Sequence, residues 1–426
     1  MDRRRYFTVL LLHATLAAPA VAQTIAAPGS PESTAAPTPP PATSIAPVTD
    51  PYSPKGLPFG GFRIFPTMEI AGDNDDNVYL TETNPRGDYF ARETPQILLR
   101  SDWSRHSIDI YAAGSFYQYV SLPDQDHIDW NAGGDGRLDI YQGLTLSGSG
   151  SYSVEHLANS SPDQPTSAKT PVEFSLVQSG ATFSYNPYHF GFYLGGTFDR
   201  YVYDPSHLVD ETFSSNADRN EDAYSAYAKA SYEVSPGYAA FVQANENLAH
   251  YDLTLDRSGL DRDNMGYSGN AGVDMLITNL IHGQAFVGYL YQRYKAPFKD
   301  VPGLNFGANV DWAVTSLWTF HFIASRSLNG TTLATASAED DKSFQVSADY
   351  LFRSNITLSG GASYLDATFD GSTRVDRYIT PRFSAIYHLN PWLGIELTDT
   401  YQTRDSSVSG QRFSDNIVMV GLKFQE

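Results

Sequence analysis

The run SFQVSADYLFRSNITLSGGASY, Ser343 to Tyr364, decides the fold class. Phe344, Val346, Ala348, Tyr350 and Phe352 fall on one side of an extended chain; Ser343, Gln345, Ser347, Asp349 and Arg353 fall on the other. Ser354-Asn355 then turns the chain. Ile356, Leu358, Gly360, Ala362 and Tyr364 resume the apolar row, with Thr357, Ser359 and Ser363 opposite. A period of two with one apolar row marks a strand between an apolar phase and a wet one. A single such hairpin fits a soluble sheet. Here the pattern recurs almost to the C-terminus, with no composition break from Gly61 to Glu426. That favours one large repetitive architecture over the two or three domains usual at this length.

Two kinds of connection join the alternating segments. Tight ones, such as Tyr141-Gln142-Gly143, Ser235-Pro236-Gly237, Ser354-Asn355 and Asn390-Pro391, use residues suited to short turns. Longer polar ones run through Asp204 to Glu221, Asp252 to Asn264 and Asn329 to Asp340. Tight and long connections alternate, as in outer-membrane barrels with short periplasmic turns and longer extracellular loops. The expectation is an all-β, transmembrane, antiparallel up-and-down β-barrel of about eighteen strands, with sixteen as the main alternative. An even count puts both termini on the periplasmic side. Strand starts are expected near Phe62, Thr94, Ser107, His127, Leu144, Val172, His189, Ala223, Tyr238, Met265, Ile281, Leu304, Trp318, Lys342, Ile356, Val375, Trp392 and Arg412. Trp103, Tyr141, Tyr188, Tyr238, Trp318 and Trp392 fall where tight turns begin or end, the place for an interfacial aromatic girdle.

The ends carry different signals. Residues 1–22 read as a secretory signal: Arg3-Arg4-Arg5, an apolar run from Phe7 to Ala18, and a small-x-small site at Ala20-Val21-Ala22, with cleavage expected near Ala22. Residues 23–60 are rich in Pro, Ala, Ser and Thr and read as a disordered periplasmic tether. Residues 61–426 are assigned to the barrel. The chain closes on Ile417 to Glu426, an alternating strand with Phe424 near its end, similar to the recognition signal of assembled outer-membrane proteins.

Composition excludes several functions. The 426 residues contain no cysteine, which removes disulfide, zinc-thiolate and Cys-nucleophile chemistry. A net charge of −20 argues against nucleic acid, whose phosphates need a basic surface. No G-x-S-x-G elbow, H-E-x-x-H pair, phosphate-binding loop or dinucleotide fingerprint is present. Asp73, Asp75 and Asn77 have the alternate spacing of a calcium loop, but Val78 and Asn84 stand where that loop needs Gly and Glu. No enzyme activity, cofactor or metal site is expected.

The segment FRIFPTMEIAGDNDDNVYLT, Phe62 to Thr81, is the most specific stretch. Its first strand with a central Pro, followed by Asp75-Asp76-Asn77-Val78-Tyr79, resembles the bacterial family described as putative β-barrel porin 2. The resemblance implies a Gram-negative outer-membrane channel. Some members lie in exopolysaccharide gene clusters, which implies an alternative role as an export or accessory barrel. Implied partners are outer-membrane lipid and lipopolysaccharide, the outer-membrane assembly machinery, and polysaccharide or periplasmic export proteins.

Candidate functional residues are the charged members of the inward rows. These are Asp109, Asp129, Arg137, Asp139, Asp199, Lys229, Asp274, Asp311, Asp349, Arg353, Arg382 and Glu396. Facing lipid, such groups would cost several kcal/mol at the midplane, whereas a hydrated lumen accepts them. Their acidic excess predicts weak cation preference in a passive, porin-like channel for hydrophilic solutes. Inward Tyr111, Tyr117, Tyr119, Tyr193 and Tyr227 could stack on sugar rings, or merely pack the lumen. A plugged structural or adhesive barrel is the third reading.

Overall fold

The computed structural model describes residues 51–165, 168–277 and 280–426. The signal segment and most of the Pro-rich tether lie outside the described residues. Eighteen long strands follow one another: β1 Phe62–Asp75, β2 Asp88–Ser101, β3 Ser107–Tyr119, β4 His127–Tyr141, β5 Leu144–His156, β6 Glu173–Tyr185, β7 Phe190–Tyr203, β8 Glu221–Ser235, β9 Tyr238–Tyr251, β10 Asn264–Ile277, β11 Ile281–Tyr294, β12 Val301–Ala313, β13 Trp318–Asn329, β14 Glu339–Arg353, β15 Ile356–Phe369, β16 Val375–Asn390, β17 Leu393–Ser406 and β18 Phe413–Gln425. Each pairs antiparallel with its sequence neighbours. β1 also pairs with β18, from Thr67↔Gln425 to Asp75↔Ile417, so the sheet closes on itself. Closure leaves no free sheet edge at the two ends of the chain.

The count settles at eighteen rather than sixteen, and the starts agree with the sequence to within a few residues except on β2. That strand begins at Asp88, six residues before the expected Thr94. Its upper part, DYFARE, has no apolar row because Phe90 and Arg92 point inward. β12 and β14 likewise begin three residues early, at Val301 and Glu339. The tether boundary also moves. Leu57–Phe59 pairs with the foot of β1, Gln425 donates to the Tyr52 carbonyl at 2.7 Å, and the Tyr52 ring stacks on His388 at 5.2 Å. Residues 51–60 are therefore fixed against the tight-turn rim rather than belonging to the tether.

The two-residue turns explain themselves. Gly143 and Gly237 adopt φ of 82° and 85°, a left-handed backbone that glycine takes without a Cβ penalty. A Cβ there would also meet the Asn186 or Leu276 carbonyl oxygen at 2.7 or 2.6 Å. Just before four such turns the register slips by one residue, at Asp139/Tyr141, Glu233/Ser235, Leu351/Arg353 and His388/Asn390. Such bulges bend the strand and re-aim the residues beyond them.

The faces differ as a barrel in lipid requires. Phe344, Val346, Phe190, Phe192, Leu194, Val242, Leu304 and Trp312 are exposed on the outside. Their neighbours Asn245, Asn270, Asn305, Thr398 and Glu396 are buried on the inside. The six aromatics at the tight turns are all exposed, Tyr188 almost completely. Ala308 and Asn309 sit side by side on β12 with opposite facing. Ala308→Arg is expected to lose roughly 2–4 kcal/mol of folded-state stability near the midplane, and Asn309→Arg much less. Urea titration in detergent micelles, read as the heat-modifiable folded band, would compare them; equal losses would mean the faces are reversed.

Candidate functional site

The inner face is built by alternation: every second side chain of each strand points into the closed sheet, where neighbours one strand apart can meet. Lys229 on β8 reaches Asp274 on β10 at 2.8 Å and Gln284 on β11 at 3.2 Å, and lies 4.0 Å over the Phe241 ring. His321 on β13 bridges Asp311 on β12 at 2.6 Å and Asp349 on β14 at 3.2 Å. Ser359 donates to Asp349 at 2.6 Å. Arg137 pairs with Asp139 at 3.1 Å, and Arg100 with Asp109 at 3.0 Å. Asp129 meets His156 at 2.8 Å. Asp199 accepts from the Gln178 side-chain amide at 3.1 Å. Arg382 feels the charges of Glu396, Arg92 and Glu69 across the closure of the sheet.

The candidate residues therefore gather as pairs rather than as one cluster. Lys229 with Asp274, Arg137 with Asp139, Asp311 with Asp349 through His321, and Arg382 beside Glu396 come together. Asp109, Asp129 and Asp199 instead find partners that the sequence reading did not single out. Arg353 departs from expectation. The bulge between Leu351 and Arg353 breaks the alternation, and its exposed side chain sits at the tight-turn rim, 5.7 Å from the Phe352 ring centroid.

Sequence reading missed the belt at the closing strands. Arg92 on β2 pairs with Glu69 at 3.3 Å and lies 3.6 Å from Asp73, both on β1. With β2 started at Thr94, Arg92 fell in a loop; the signal that finds it is its alternation with Phe90 and Thr94. Of the inward tyrosines, Tyr117 stacks on His127 at 4.3 Å, Tyr193 donates to Asn186 at 2.7 Å, and the Tyr227 hydroxyl lies 3.1 Å from Thr182. Among the described residues no group of three His, Asp or Glu side chains is placed to hold a metal ion.

The Asp75-Asp76-Asn77-Val78-Tyr79 motif sits where the barrel closes. Asn77 is 1 % exposed. Its side-chain amide donates to the carbonyls of Thr81 at 3.0 Å and Ser414 at 2.9 Å, and its Oδ1 accepts from the Thr81 N–H at 3.0 Å. Its own N–H donates to Asp75 at 2.8 Å. Asp76 accepts from the Asn416 N–H at 2.8 Å and returns its N–H to the Asn416 carbonyl. Val78 is buried, and its N–H donates to the Arg86 carbonyl. Tyr79 follows, half-buried, in the turn. The motif clasps β1 to β18.

At the long-loop mouth the inner face turns apolar. Leu333 and Ala336 of loop 330–338 pack with Leu365, Ala367, Phe369, Tyr378 and Phe413. Loop 157–172 crosses to meet loop 330–338, almost opposite on the ring. Asp163 accepts from the Thr332 N–H at 2.9 Å and from its hydroxyl at 2.7 Å. Arg404 donates to the Ser160 carbonyl at 2.9 Å, Asn159 to the Val78 carbonyl at 2.9 Å, and Arg262 to the Ala336 carbonyl at 2.9 Å. The mouth is thus bridged, while the wall below it is polar.

Two tests follow from these bonds. Asn77→Ala removes the buried side chain that pairs Thr81 and Ser414 at the closure, and is expected to cost about 1–3 kcal/mol; a lower unfolding temperature for the folded band would show it. In the loops, burial raises the Asp218 carboxyl, but hydrogen bonds from Arg257 hold it below the usual carboxylate range. Hydrogen bonds from Arg200 hold Asp252 low as well. Depressed carboxyls stabilise the loops above their unfolded values and lose that contribution as pH falls through the folded ones, below about pH 4. Hydrogen exchange corrected for intrinsic rate should show loops 204–220 and 252–263 loosening only below that pH; loosening between pH 7 and 5 would contradict it.

A BenF-like porin from Pseudomonas fluorescens Pf-5 matches with a TM-score of 0.45 and 10% identity, covering 86% of this chain and 100% of that one. OccK2 (OpdF) of Pseudomonas aeruginosa matches at 0.44 and 11%, covering 85% and 98%. OpdL of the same species matches at 0.42 and 12%, covering 86% and 99%. No curated relative matches. The family model described as putative beta-barrel porin 2 matches residues 50–426, so the chain belongs to that family of porin-like outer-membrane barrels.

Proposed function

We propose that the protein is a passive outer-membrane channel for small hydrophilic solutes, with no cofactor and no chemical step. The observation that carries this is the polar, charge-lined inner face of a closed eighteen-strand wall. Barrels of that size enclose a lumen wide enough for water and small solutes. Secretion after cleavage near Ala22, and Asp109, Asp129, Arg137, Asp139, Asp199, Lys229, Asp274, Asp311, Asp349, Arg382 and Glu396 as path-lining groups, belong to this reading. Its partners would be lipid, lipopolysaccharide and the assembly machinery.

The pairing inside the wall refines the expected selectivity. A carboxylate already matched by a cation contributes little net field, whereas one matched by an amide contributes a full charge. Asp274 is matched by Lys229 and Asp199 by Gln178. Cation preference should therefore be weak, and should fade as salt shortens the screening length to about 10 Å at 0.1 M. A second reading, a plugged barrel, is favoured by the bridge from Asp163 to Thr331 and Thr332 across the mouth.

Reversal potentials in a KCl gradient across planar bilayers test the reading. Asp199→Asn should reduce cation preference more than Asp274→Asn does. Asp163→Ala should raise the conductance step by loosening the bridge. Absence of conductance from folded wild type, restored by Asp163→Ala, would move the weight to the plugged reading; anion preference in wild type would reject the charge argument.

A further inference from the structure

The chain enters the barrel wall from the lumen side. Tyr52 stacks its ring on His388 of β16, with centroids 5.2 Å apart, and its carbonyl accepts from the Gln425 amide of β18 at 2.7 Å. The Lys55 carbonyl accepts from Arg63 of β1 at 3.1 Å. Gly56 lies against the Phe65 ring of β1, where a Cβ would stand 2.6 Å from it. His388, Gln425 and Phe65 all belong to inner rows. Tyr387 and Leu389 on either side of His388, and Leu422 and Phe424 before Gln425, are exposed on the outside. Phe65 shares its face with Arg100, 5.6 Å away, which pairs with buried Asp109. Residues 51–56 therefore run along the inside of the wall at its tight-turn end, from β16 past β17 and β18 to β1.

Residue 57 is where this path joins the wall. β18 pairs down to Gln425, opposite Thr67, so the foot of β1 reaches below its closing partner. Leu57–Phe59 runs beside that foot, from Leu57↔Ile64 to Phe59↔Phe62. Gly56 turns the chain from this short ladder onto the inner face with a φ of 69°, a left-handed backbone that glycine adopts without a Cβ penalty. Residues 51–56 precede the ladder and are seated by side chains, so they can lift away while the wall stays closed. Ser53 and Lys55 are exposed. A layer of chain packed on a sheet stands about 10 Å from it, so the seated segment takes that order of length from the lumen radius over this sector.

We propose that residues 51–56 are a hinged strap that narrows the tight-turn end of the lumen: seated on Phe65, Gln425 and His388 it restricts passage, and swung away about Gly56 it widens the exit. The narrowing rests on the channel reading above; the hinge and its seat do not.

The protein has no cysteine, so Ser53→Cys adds a single thiol to the full chain. Folded protein in micelles would be labelled with N-ethylmaleimide or with a maleimide carried on a long polyethylene glycol. Gln142→Cys, on an exposed tight turn away from the strap, is the reference for free access. The small reagent should label both. The long one should label Ser53→Cys roughly fivefold more slowly than Gln142→Cys, as expected of a site that reacts through local opening. His388→Ala/Gln425→Ala should abolish that difference. Gly56→Ala, which drives a Cβ into Phe65 and leaves both inner side chains in place, should abolish it too, and decides the matter where the double variant does not fold. In planar bilayers the same releases should raise the conductance step about 1.5-fold, since conduction follows the open cross-section. Equal labelling of Ser53→Cys and Gln142→Cys by the long reagent, or a difference that survives both releases, would overturn the strap. A conducting wild type whose step is unchanged by release would overturn the narrowing. A silent wild type counts against the channel reading, and the labelling then decides the strap alone.

Discussion

Backbone hydrogen bonds in hydrocarbon have no water to fall back on, and that constraint governs every other feature of this protein. It requires long paired strands, an even ladder and a closure between the first strand and the last. The closure joins the two strands farthest apart in the barrel sequence, β1 and β18. Loop-closure entropy opposes such a contact until it forms. Asn77 places four side-chain hydrogen bonds there, one of them to Ser414 on β18. The Asp76–Asn416 exchange adds a pair at the same level. A motif that looks like a ligand loop in sequence is a clasp in structure, with its polar atoms turned to backbone.

Most of the fold was legible because the same constraint writes itself into sequence. Alternation fixed the faces of β12, β14 and β15, and the turn residues fixed the strand count. Legibility failed where alternation stops reporting the membrane. Above the apolar band both faces of a strand meet protein or water, so DYFARE at the head of β2 and EDD at the head of β14 read as loop. At the foot, a one-residue bulge turned Arg353 from the expected inner row to the rim. The level at which the described β12–β13 ladder ends left no mark of its own, because pairing partners are a property of two strands and alternation is a property of one.

The inner charges were individually visible and collectively not. Their residue types and facing follow from the period of two, but who meets whom depends on stagger between strands. Lys229 reaches across β9 to Asp274 with its ammonium lying over the Phe241 ring. His321 sits between two carboxylates contributed by the strands on either side. Pairs of this kind, partly wet, add little to stability. Their consequence is electrostatic: a carboxylate beside a cation, as Asp274 beside Lys229, adds less net field than one beside an amide, as Asp199 beside Gln178.

The mouth and the upper β12–β13 wall share one mechanical element. Loop 330–338, which packs its Leu333 and Ala336 into the apolar cluster under the mouth and receives the bridge from Asp163, is the tip of the β13–β14 hairpin. Leu328 and Ala338, one on each arm of that hairpin, lean on Val301 of β12 and on β11 behind it. The described β12–β13 ladder ends at Gly307↔Ser325, below the point where the hairpin carries its tip inward. Arg326, held by both oxygens of Asp340, ties the hairpin to the Leu304 carbonyl of β12 beyond that point, so one side chain couples the position of the tip to the neighbouring strand.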